Sequence, residues 1–345
     1  MARLFFLLSG EHPTLPQAEL QSILETEDHE YRVLGKLPQV LCVKTSLDSV
    51  KSVTSKSAMT RVCGLELLNC QATVATIKKE MSSASFDNVI ERDETFVVRV
   101  RRVKGSGSPA LRLELERKLG ELILDKVQGA KVSLRAPQKV FFGILTGPRF
   151  VFGLKLADVL PTPFVARGPR KRPFFHPSAM PAKLARCMVN LAQPKAGELV
   201  LDPFCGTGTV LVEAGLMDCR VIGLDVQPRM VIGSFRNLLY YGVEPEGMAC
   251  ADAKHLPIAK IDCIVTDPPY GKLATTRGQK TRQIVEDMLS AVDETLPKGR
   301  RICMASPKSI EISEVGQQLG FKRVESHLIY VHRSLTREVV VFERT

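Results

Sequence analysis

The sequence of 345 residues lacks tryptophan, long apolar runs and a signal-peptide core. Aromatic side chains make up only 6% of the chain. No run of about 18 apolar residues occurs, so we expect no membrane-spanning helix. The apolar stretch at residues 4–8 is shorter than the roughly 7 to 15 residues of a signal-peptide core, and we expect a strand there.

The nine cysteines include no C-x-x-C pair. Structural zinc sites use closely spaced thiolates or clusters of cysteine and histidine, so we expect no metal. An odd, scattered set of thiols is typical of a reducing compartment. We therefore expect a cytoplasmic protein in which most cysteines are small core residues.

Acidic residues are scarce relative to basic ones. The chain has 48 Lys and Arg against 37 Asp and Glu, a net charge of +11. Residues 1–173 hold 27 basic and 18 acidic side chains, whereas residues 174–345 hold 21 and 19. A basic half indicates a polyanionic partner, although a solvated surface is the alternative. The candidate RNA contacts in its two basic clusters are Arg99, Arg101, Arg102, Lys104, Arg167, Arg170, Lys171 and Arg172.

The pattern of apolar residues divides the chain into four parts. Residues 1–60 and about 60–160 look like two small α+β modules, and residues 161–173 form a basic linker rich in proline. Residues 174–345 alternate between strand and helix signals and end in two strands joined by a short loop. This order predicts an α/β fold with a doubly wound parallel sheet that closes with an antiparallel hairpin, the shape of class I methyltransferases.

A glycine-containing motif, Asp202-Pro203-Phe204-Cys205-Gly206-Thr207-Gly208, follows the first strand of this alternating part. Two glycines allow a ligand to approach the backbone closely. Position 211 is Leu, so the third glycine of an NAD fingerprint is missing, and no P-loop lysine follows. The carboxylate of Asp202 suits a zwitterionic methionine group better than a pyrophosphate, which it would repel.

Two further aspartates follow the next strands. Asp225 ends one strand and can accept hydrogen bonds from the two hydroxyls of a ribose. Asp252, followed by Ala253, can accept from an adenine amine. Each aspartate alone is typical of a turn or a helix cap. Three carboxylates at successive strand ends predict a site for a nucleoside cofactor.

The fourth strand leads into Asp267-Pro268-Pro269-Tyr270. The Asp267 carboxylate and the Pro268 carbonyl can each accept one N–H of an exocyclic amine and so aim its lone pair at a methyl donor. Proline fixes the backbone that carries these acceptors, and Tyr270 can stack on a base. The alternative is a proline-rich turn after a buried strand.

This motif resembles the (D/N)PP(Y/F) signature of methyltransferases that act on amino groups of RNA, DNA or protein glutamine. Taken together, four segments are similar to the archaeal tRNA guanosine-10 N2-methyltransferase family. They are residues 172–186 (RPFFHPSAMPAKLAR), 202–208 (DPFCGTG), 267–271 (DPPYG) and 332–337 (HRSLTR). The resemblance implies a ferredoxin-like region at residues 1–45, a THUMP RNA-binding domain at 46–160 and a Rossmann-like methyltransferase domain at 174–345.

The resemblance also implies a role for each matching residue. Asp267, Pro268 and Tyr270 would hold the guanine N2, and the loop with His332, Arg333 and Arg337 would lie near the target nucleotide. Independently of the resemblance, Arg277 after the motif is a candidate phosphate contact, with solvent exposure as the alternative. The implied contacts of S-adenosylmethionine are Asp202, Phe204, Gly206, Gly208, Asp225, Asp252, Ala253 and Lys183, the last in a helix beside the methionine end. A small zinc-containing activator protein is a further implied partner.

Three other functions remain open from the sequence. A DNA adenine or cytosine amino methyltransferase would carry the same signature, and a protein-glutamine methyltransferase would not need the basic half. A non-catalytic RNA-binding protein would have no reason to keep the intact motif at 267–270. The sequence leaves open the target nucleotide and the number of methyl groups transferred.

Overall fold

The computed structural model describes residues 1–86, 89–270, 281–292, 295–333 and 335–345. Its strands are β1 (Ala2–Leu8), β2 (Arg32–Leu37), β3 (Val40–Thr45), β4 (Thr60–Gln71), β5 (Thr95–Arg102), β6 (Lys131–Val132), β7 (Lys139–Thr146), β8 (Arg149–Asp158), β9 (Leu199–Asp202), β10 (Arg220–Asp225), β11 (Gly247–Cys250), β12 (Cys263–Thr266), β13 (Arg301–Pro307), β14 (Phe321–His332) and β15 (Leu335–Arg344). Its α-helices are α1 (Leu15–Thr26), α2 (Ser49–Lys56), α3 (Val74–Ser83), α4 (Pro109–Lys126), α5 (Thr162–Ala166), α6 (Ala182–Ala192), α7 (Thr209–Gly215), α8 (Pro228–Tyr240), α9 (Thr281–Val292) and α10 (Ile312–Gln318). Within these ranges no helix has the length and apolar character needed to cross a membrane.

The chain folds into two compact units. The N-terminal unit comprises residues 1–13, 29–55 and 60–159, and the C-terminal unit comprises residues 14–28, 56–59 and 160–345. The predicted boundaries assign the first 160 residues to N-terminal modules. The structure instead packs two short pieces of that region, 14–28 and 56–59, with the C-terminal unit.

The N-terminal unit is built on an eight-stranded sheet in the order β2-β3-β1-β4-β8-β7-β5-β6. Buried phenylalanines fill its core, and the rings of Phe86 and Phe141 meet edge to face with their centroids 5.6 Å apart. Val98 and Val100 on β5 are buried whereas Arg99 and Arg101 are exposed, because successive side chains of a strand point to opposite faces. This strand therefore presents two guanidinium groups to solvent.

The C-terminal unit contains a seven-stranded sheet in the order β11-β10-β9-β12-β13-β15-β14. The first five of these strands are parallel, and β15 pairs antiparallel with both β13 and β14. The predicted parallel sheet with a closing hairpin is thus confirmed. After β9 the chain adds β10 and β11 on one side of that strand, and it later adds β12 and β13 on the other side. In open α/β sheets, ligands bind where the strand order reverses in this way.

A buried carboxylate shows why helix α1 belongs to this unit. Glu19 is fully buried, and it accepts hydrogen bonds from Ser57 Oγ at 2.7 Å, Met59 N at 2.8 Å, Ala58 N at 2.9 Å and Asn190 Nδ2 at 3.0 Å. Asn190 lies on α6. Because a buried charge needs such partners, the three segments are bound together by one side chain.

Candidate active site

The acidic residues singled out in the sequence follow the parallel strands of the C-terminal unit. Asp202 and Asp225 are the last residues of β9 and β10, and Asp267 follows β12 directly. Asp252 comes two residues after β11. Since the carboxyl ends of parallel strands meet at one edge of a sheet, the four carboxylates lie along the same edge.

The loop between β9 and α7 contains two glycines in the left-handed region, Gly206 with φ +50° and Gly208 with φ +76°. A Cβ atom on Gly208 would lie 2.3 Å from Ser234 Oγ, so a side chain does not fit there. A Cβ atom on Gly206 would meet nothing nearer than 3.9 Å, so the space beside this residue is open. The loop therefore leaves room for a ligand against its backbone, as an adenosylmethionine site requires.

Asp202 is almost completely buried beneath this loop. Its Oδ1 accepts hydrogen bonds from Thr266 Oγ1 at 2.7 Å and from Phe204 N at 3.1 Å. Burial raises the pKa of the Asp202 carboxyl to about 7. A positively charged ligand group would favour the ionised form, so this carboxylate fits the ammonium of a methionine.

Asp225 and Asp252 occupy different environments. Asp225 is half-buried, accepts from Gly206 N at 3.1 Å and Gln227 N at 2.9 Å, and has a pKa raised by burial. Asp252 is exposed and accepts from Lys254 N at 3.1 Å, while Ala253 beside it is buried. Lys183 lies half-buried in the first turn of α6. Asp225 is thus tied to the glycine loop directly, whereas Asp252 forms a surface turn.

The Asp267–Tyr270 motif is held by Arg337 from β15. Arg337 Nη2 lies 3.6 Å from Asp267 Oδ2 and donates a hydrogen bond to the Tyr270 hydroxyl. The guanidinium carbon is 5.4 Å from the centroid of the Tyr270 ring. Burial raises the pKa of the Asp267 carboxyl to about 6, and the Arg337 charge and the Tyr270 hydroxyl limit that rise. The sequence placed Arg337 near the tRNA, and the structure places it against the motif itself.

Arg172 does not lie on the surface, and its prediction as an RNA contact is corrected. Arg172 is 7% exposed, and its Nη1 donates to the hydroxyls of Thr207 in the glycine loop and of Thr209 at the start of α7. Its Nε and Nη2 both donate to the carbonyl of Arg167 at 3.1 and 3.0 Å. With its donors used inside the protein, Arg172 supports the loop rather than RNA.

Arg167 is likewise turned inward. Its guanidinium pairs with the buried carboxylate of Glu213 on α7, and Arg186 on α6 donates to the same carboxylate at 3.0 Å. The predicted linker at 161–173 is therefore docked on the C-terminal unit, and it contains α5 and a 3-10 turn at Pro169–Lys171. The physical reason is that two of its four basic side chains find partners in the interior.

The other predicted RNA contacts are placed as follows. Arg102 donates to the carbonyls of Ser106 and Gly107 at 3.1 and 2.8 Å, so it is partly engaged in its own loop. Arg277 lies outside the described residues. The exposed members of the set are Arg99, Arg101, Lys104, Arg170, Lys171, His332 and Arg333.

Sequence reasoning missed the polar residues that support the site from within. Glu213 and Asn237 were not singled out, although Asn237 Nδ2 donates to the carbonyls of Thr207 and Phe174, both at 2.9 Å. The sequence signal that could have identified them is a charged or amide side chain at a position where the helix pattern predicts an apolar one. Periodicity alone does not tell which partner such a side chain meets.

Cysteines occupy the interior as expected. Eight of the nine are buried, and Cys250 is exposed. Burial raises the pKa of Cys205 and Cys263 well above the ordinary value of a thiol, so neither is a ready thiolate. Cys205 lies in the glycine loop, whereas Cys263 begins β12 at the end of the strand away from the motif. Among the described residues, no group of three or more potential metal ligands occurs.

Two family models match the chain. One describes an RMKL-like methyltransferase domain and matches residues 169–338. The other describes DNA methylases and matches residues 50–233, a range that ends before the Asp267–Tyr270 motif. The first match therefore contains the whole series of strand-end carboxylates, and the second does not.

Relatives and solved structures agree with the first match. The tRNA (guanine(10)-N2)-dimethyltransferase of Methanothermobacter thermautotrophicus is 37% identical over 339 residues, which cover 98% of both chains. The enzyme of the same name from Methanocaldococcus jannaschii is 29% identical over 98% of this chain and 99% of its own. The crystal structure of TrmN from Thermus thermophilus has a TM-score of 0.56 at 19% identity and covers 99% of this chain and 100% of its own. A methyltransferase structure, SMU.472 with bound SAH, has a TM-score of 0.55 at 14% identity and covers 100% of this chain and 99% of its own.

The solved structures, at such low identity, confirm the fold. The relatives go further, since 37% identity extends over nearly the full length of two chains. This protein accordingly belongs to the family of tRNA (guanine(10)-N2)-dimethyltransferases and is an S-adenosylmethionine-dependent methyltransferase.

Proposed function

We propose that this protein methylates the exocyclic N2 amine of a guanosine in tRNA, at position 10, and that it adds two methyl groups in succession. The observation that supports this most directly is the cluster of Asp267, Tyr270 and Arg337 at the carboxyl end of β12, where an acceptor and an aromatic ring lie side by side. The name shared by its full-length relatives supports the substrate and the second methyl group.

The chemistry proposed for the motif is orientation of the amine. Asp267 Oδ1 and the Pro268 carbonyl would accept the two N–H groups of guanine N2, and the Tyr270 ring would stack on the base. Arg337 keeps the Tyr270 hydroxyl and the Asp267 carboxylate in place. After transfer, the Asp267 carboxylate is the nearest base for the proton that the amine loses. The target base has to leave its stack to reach this buried position.

The cofactor residues are proposed from the sequence motifs and their placement. S-adenosylmethionine supplies a methyl group on a positively charged sulfur and leaves as S-adenosylhomocysteine. Asp202 would accept from its ammonium, Asp225 from its ribose and Asp252 from its adenine, with Gly206 giving close access to the backbone. The remaining members of the proposed set are Phe204, Gly208, Ala253 and Lys183.

Binding of tRNA is proposed to involve both units. We propose a ferredoxin-like region at 1–45 and a THUMP domain at 46–160. The N-terminal unit carries the exposed Arg99, Arg101 and Lys104. The C-terminal unit carries exposed basic residues at 170–171 and 332–333. Such contacts to phosphates set affinity and register rather than sequence choice. We also propose a cytoplasmic location and a small zinc-containing activator protein as a partner.

The proposal is tested with purified protein, labelled S-adenosylmethionine and unmodified tRNA transcripts, followed by nucleoside analysis by mass. The expected products are N2-methylguanosine and its dimethyl form at position 10, and Asp267→Ala should abolish them while tRNA binding remains. Parallel reactions contain duplex DNA, because one family model describes DNA methylases. Methylated adenine or cytosine in DNA without product in tRNA would replace the proposal. Reactions with and without the zinc-containing protein test that partner.

A further inference from the structure

Two buried polar atoms beside the motif have no hydrogen-bond partner among the described residues. They are Oδ1 of Asp267 and Nε of Arg337. Their side chains are 17% and 12% exposed. Buried polar atoms in folded proteins are nearly always paired, so each exception calls for an explanation. One of these atoms is a hydrogen-bond acceptor and the other is a donor.

The two groups that carry these atoms are in contact through their other ends. Arg337 Nη2 faces Asp267 Oδ2 at 3.6 Å and also donates to the Tyr270 hydroxyl. The guanidinium is thus anchored at Nη2, and its planar, rigid fork fixes the direction of Nε. The carboxylate is likewise engaged at Oδ2 and not at Oδ1. The groups that meet at this contact therefore carry an acceptor and a donor that have no partner in the described part of the chain.

A purine amine with a neighbouring ring nitrogen is complementary to such a pair. In guanine, the N2 amine is flanked by N1–H, which is a donor, and by N3, which is an acceptor. A guanidinium N–H cannot pair with N1–H, so only N3 can accept from it. A phosphate oxygen is a poorer partner here, since an anion would be repelled by the Asp267 carboxylate.

We infer that Arg337 is a base-contacting residue whose Nε–H donates to N3 of the target guanine while Asp267 Oδ1 accepts from the adjacent N2 amine. This inference rests on the proposed function and specifies which edge of the base the site reads. Recognition then requires both the amine that is methylated and the ring nitrogen next to it. Arg337 also touches Tyr270, so the same residue orients the stacking ring.

The test combines an altered base with an altered protein. Semisynthetic tRNA carries guanosine, 3-deazaguanosine or 7-deazaguanosine at the target position, and methyl transfer is measured as kcat/KM with the wild-type chain and with Arg337→Lys. The 3-deaza base lacks N3, whereas the 7-deaza base keeps the whole N2–N3 edge and serves as the matched control. Affinity for S-adenosylmethionine shows whether the variant remains folded.

We expect the wild-type chain to lose about 10- to 100-fold in kcat/KM on 3-deazaguanosine and less than about threefold on 7-deazaguanosine. With guanosine, Arg337→Lys should reduce kcat/KM by a similar factor relative to the wild-type chain. In the variant, replacing guanosine by 3-deazaguanosine should reduce kcat/KM little further, since the contact with N3 is already lost. Any change in the intrinsic reactivity of the amine affects both proteins equally and cancels in this comparison.

Three results would overturn the inference, and failure of the inference can be distinguished from failure of the proposed function. Equal 3-deaza losses in the wild-type and variant proteins would show that Arg337 acts without touching N3, while the proposed function stands. Equal kcat/KM values of the wild-type chain on 3-deazaguanosine and guanosine would also show that N3 is not contacted, and this comparison does not need the variant. Failure of the wild-type chain to form N2-methylguanosine in guanosine tRNA would overturn the proposed function itself, and the inference with it.

Discussion

Arg167 donates two hydrogen bonds to Glu213, from Nε to Oε1 at 2.6 Å and from Nη2 to Oε2 at 2.9 Å. This fork-to-fork pair joins the proline-rich segment to α7, the helix that begins at the end of the glycine loop. Arg186 shares the same carboxylate. The buried carboxylate of Glu213 therefore neutralises the charges of Arg167 and Arg186 beside α7.

Removal of that carboxylate should destabilise the C-terminal unit. Glu213→Gln leaves two guanidinium groups buried without a counter-charge, and we expect the free energy of unfolding to fall by about 3 to 5 kcal/mol. Urea denaturation followed by circular dichroism measures the change. Glu244→Gln, at an exposed position, is the matched control and should have little effect. A loss no greater than that of the control would show that the two arginines find other partners.

The contact of Arg172 with Thr207 and Thr209 should matter for cofactor binding. Arg172→Lys removes the planar fork that reaches both the loop hydroxyls and the Arg167 carbonyl. We expect S-adenosylmethionine to bind about tenfold more weakly in isothermal titration calorimetry, as if one charged hydrogen bond were lost. Arg170→Lys, on the exposed side of the same segment, should bind the cofactor normally. Equal affinities in the two variants would mean that the loop keeps its shape without Arg172.

The raised pKa of Asp267 predicts an acid limb in the rate profile. The carboxyl, with a pKa of about 6, becomes protonated below that pH and then loses an acceptor for the amine. At saturating S-adenosylmethionine, kcat/KM for tRNA should fall about tenfold per pH unit below about pH 6 and be level at pH 7 to 8, because kcat/KM reports the pKa values of the enzyme before tRNA binds. Asp267→Asn keeps a carbonyl acceptor but cannot titrate, so its residual activity should lack this limb. If the rate of the variant falls in the same way below about pH 6, a group other than Asp267 causes the pH dependence.

Asp202 predicts a pH dependence of cofactor affinity. Its pKa is about 7 in the protein, and the ammonium of S-adenosylmethionine favours the ionised form. Affinity should therefore strengthen as the pH rises from 5.5 to 8, and Asp202→Asn should bind weakly at every pH. Without cofactor, the raised pKa has the opposite effect on stability, which falls as the pH rises from about 4 to 7. Thermal denaturation with and without S-adenosylmethionine would separate the two trends.

The exposed arginines of β5 should contribute to tRNA binding through phosphates. Replacing Arg99 and Arg101 together with alanine should weaken binding and reduce the slope of log affinity against log salt by about 1.5, while cofactor affinity stays unchanged. Filter binding at several salt concentrations measures the slope. Arg117→Ala, an exposed arginine on α4, is the control. An unchanged slope in the double variant would remove this strand from the tRNA surface.

Local patterns in the sequence were sufficient for much of the fold and for part of the site. The order of strand and helix signals predicted the parallel sheet with its hairpin. Asp202, Asp225 and Asp267 could be placed at one edge because parallel strands present their carboxyl ends together. These predictions depend on the chain's local period and on one general rule of sheet geometry.

The sequence by itself determined the class of chemistry, since Asp267-Pro268-Pro269-Tyr270 and the glycine loop carry their meaning in a few consecutive residues. Only the tertiary structure decided which charged residues serve the interior. Glu19 meets Asn190, and Arg337 meets Tyr270, across separations of 171 and 67 residues. No local pattern distinguishes Arg172, which is buried, from Arg170, which is exposed. A charge is stable inside a protein only beside partners brought from distant parts of the chain, and those partners exist only once the chain has folded.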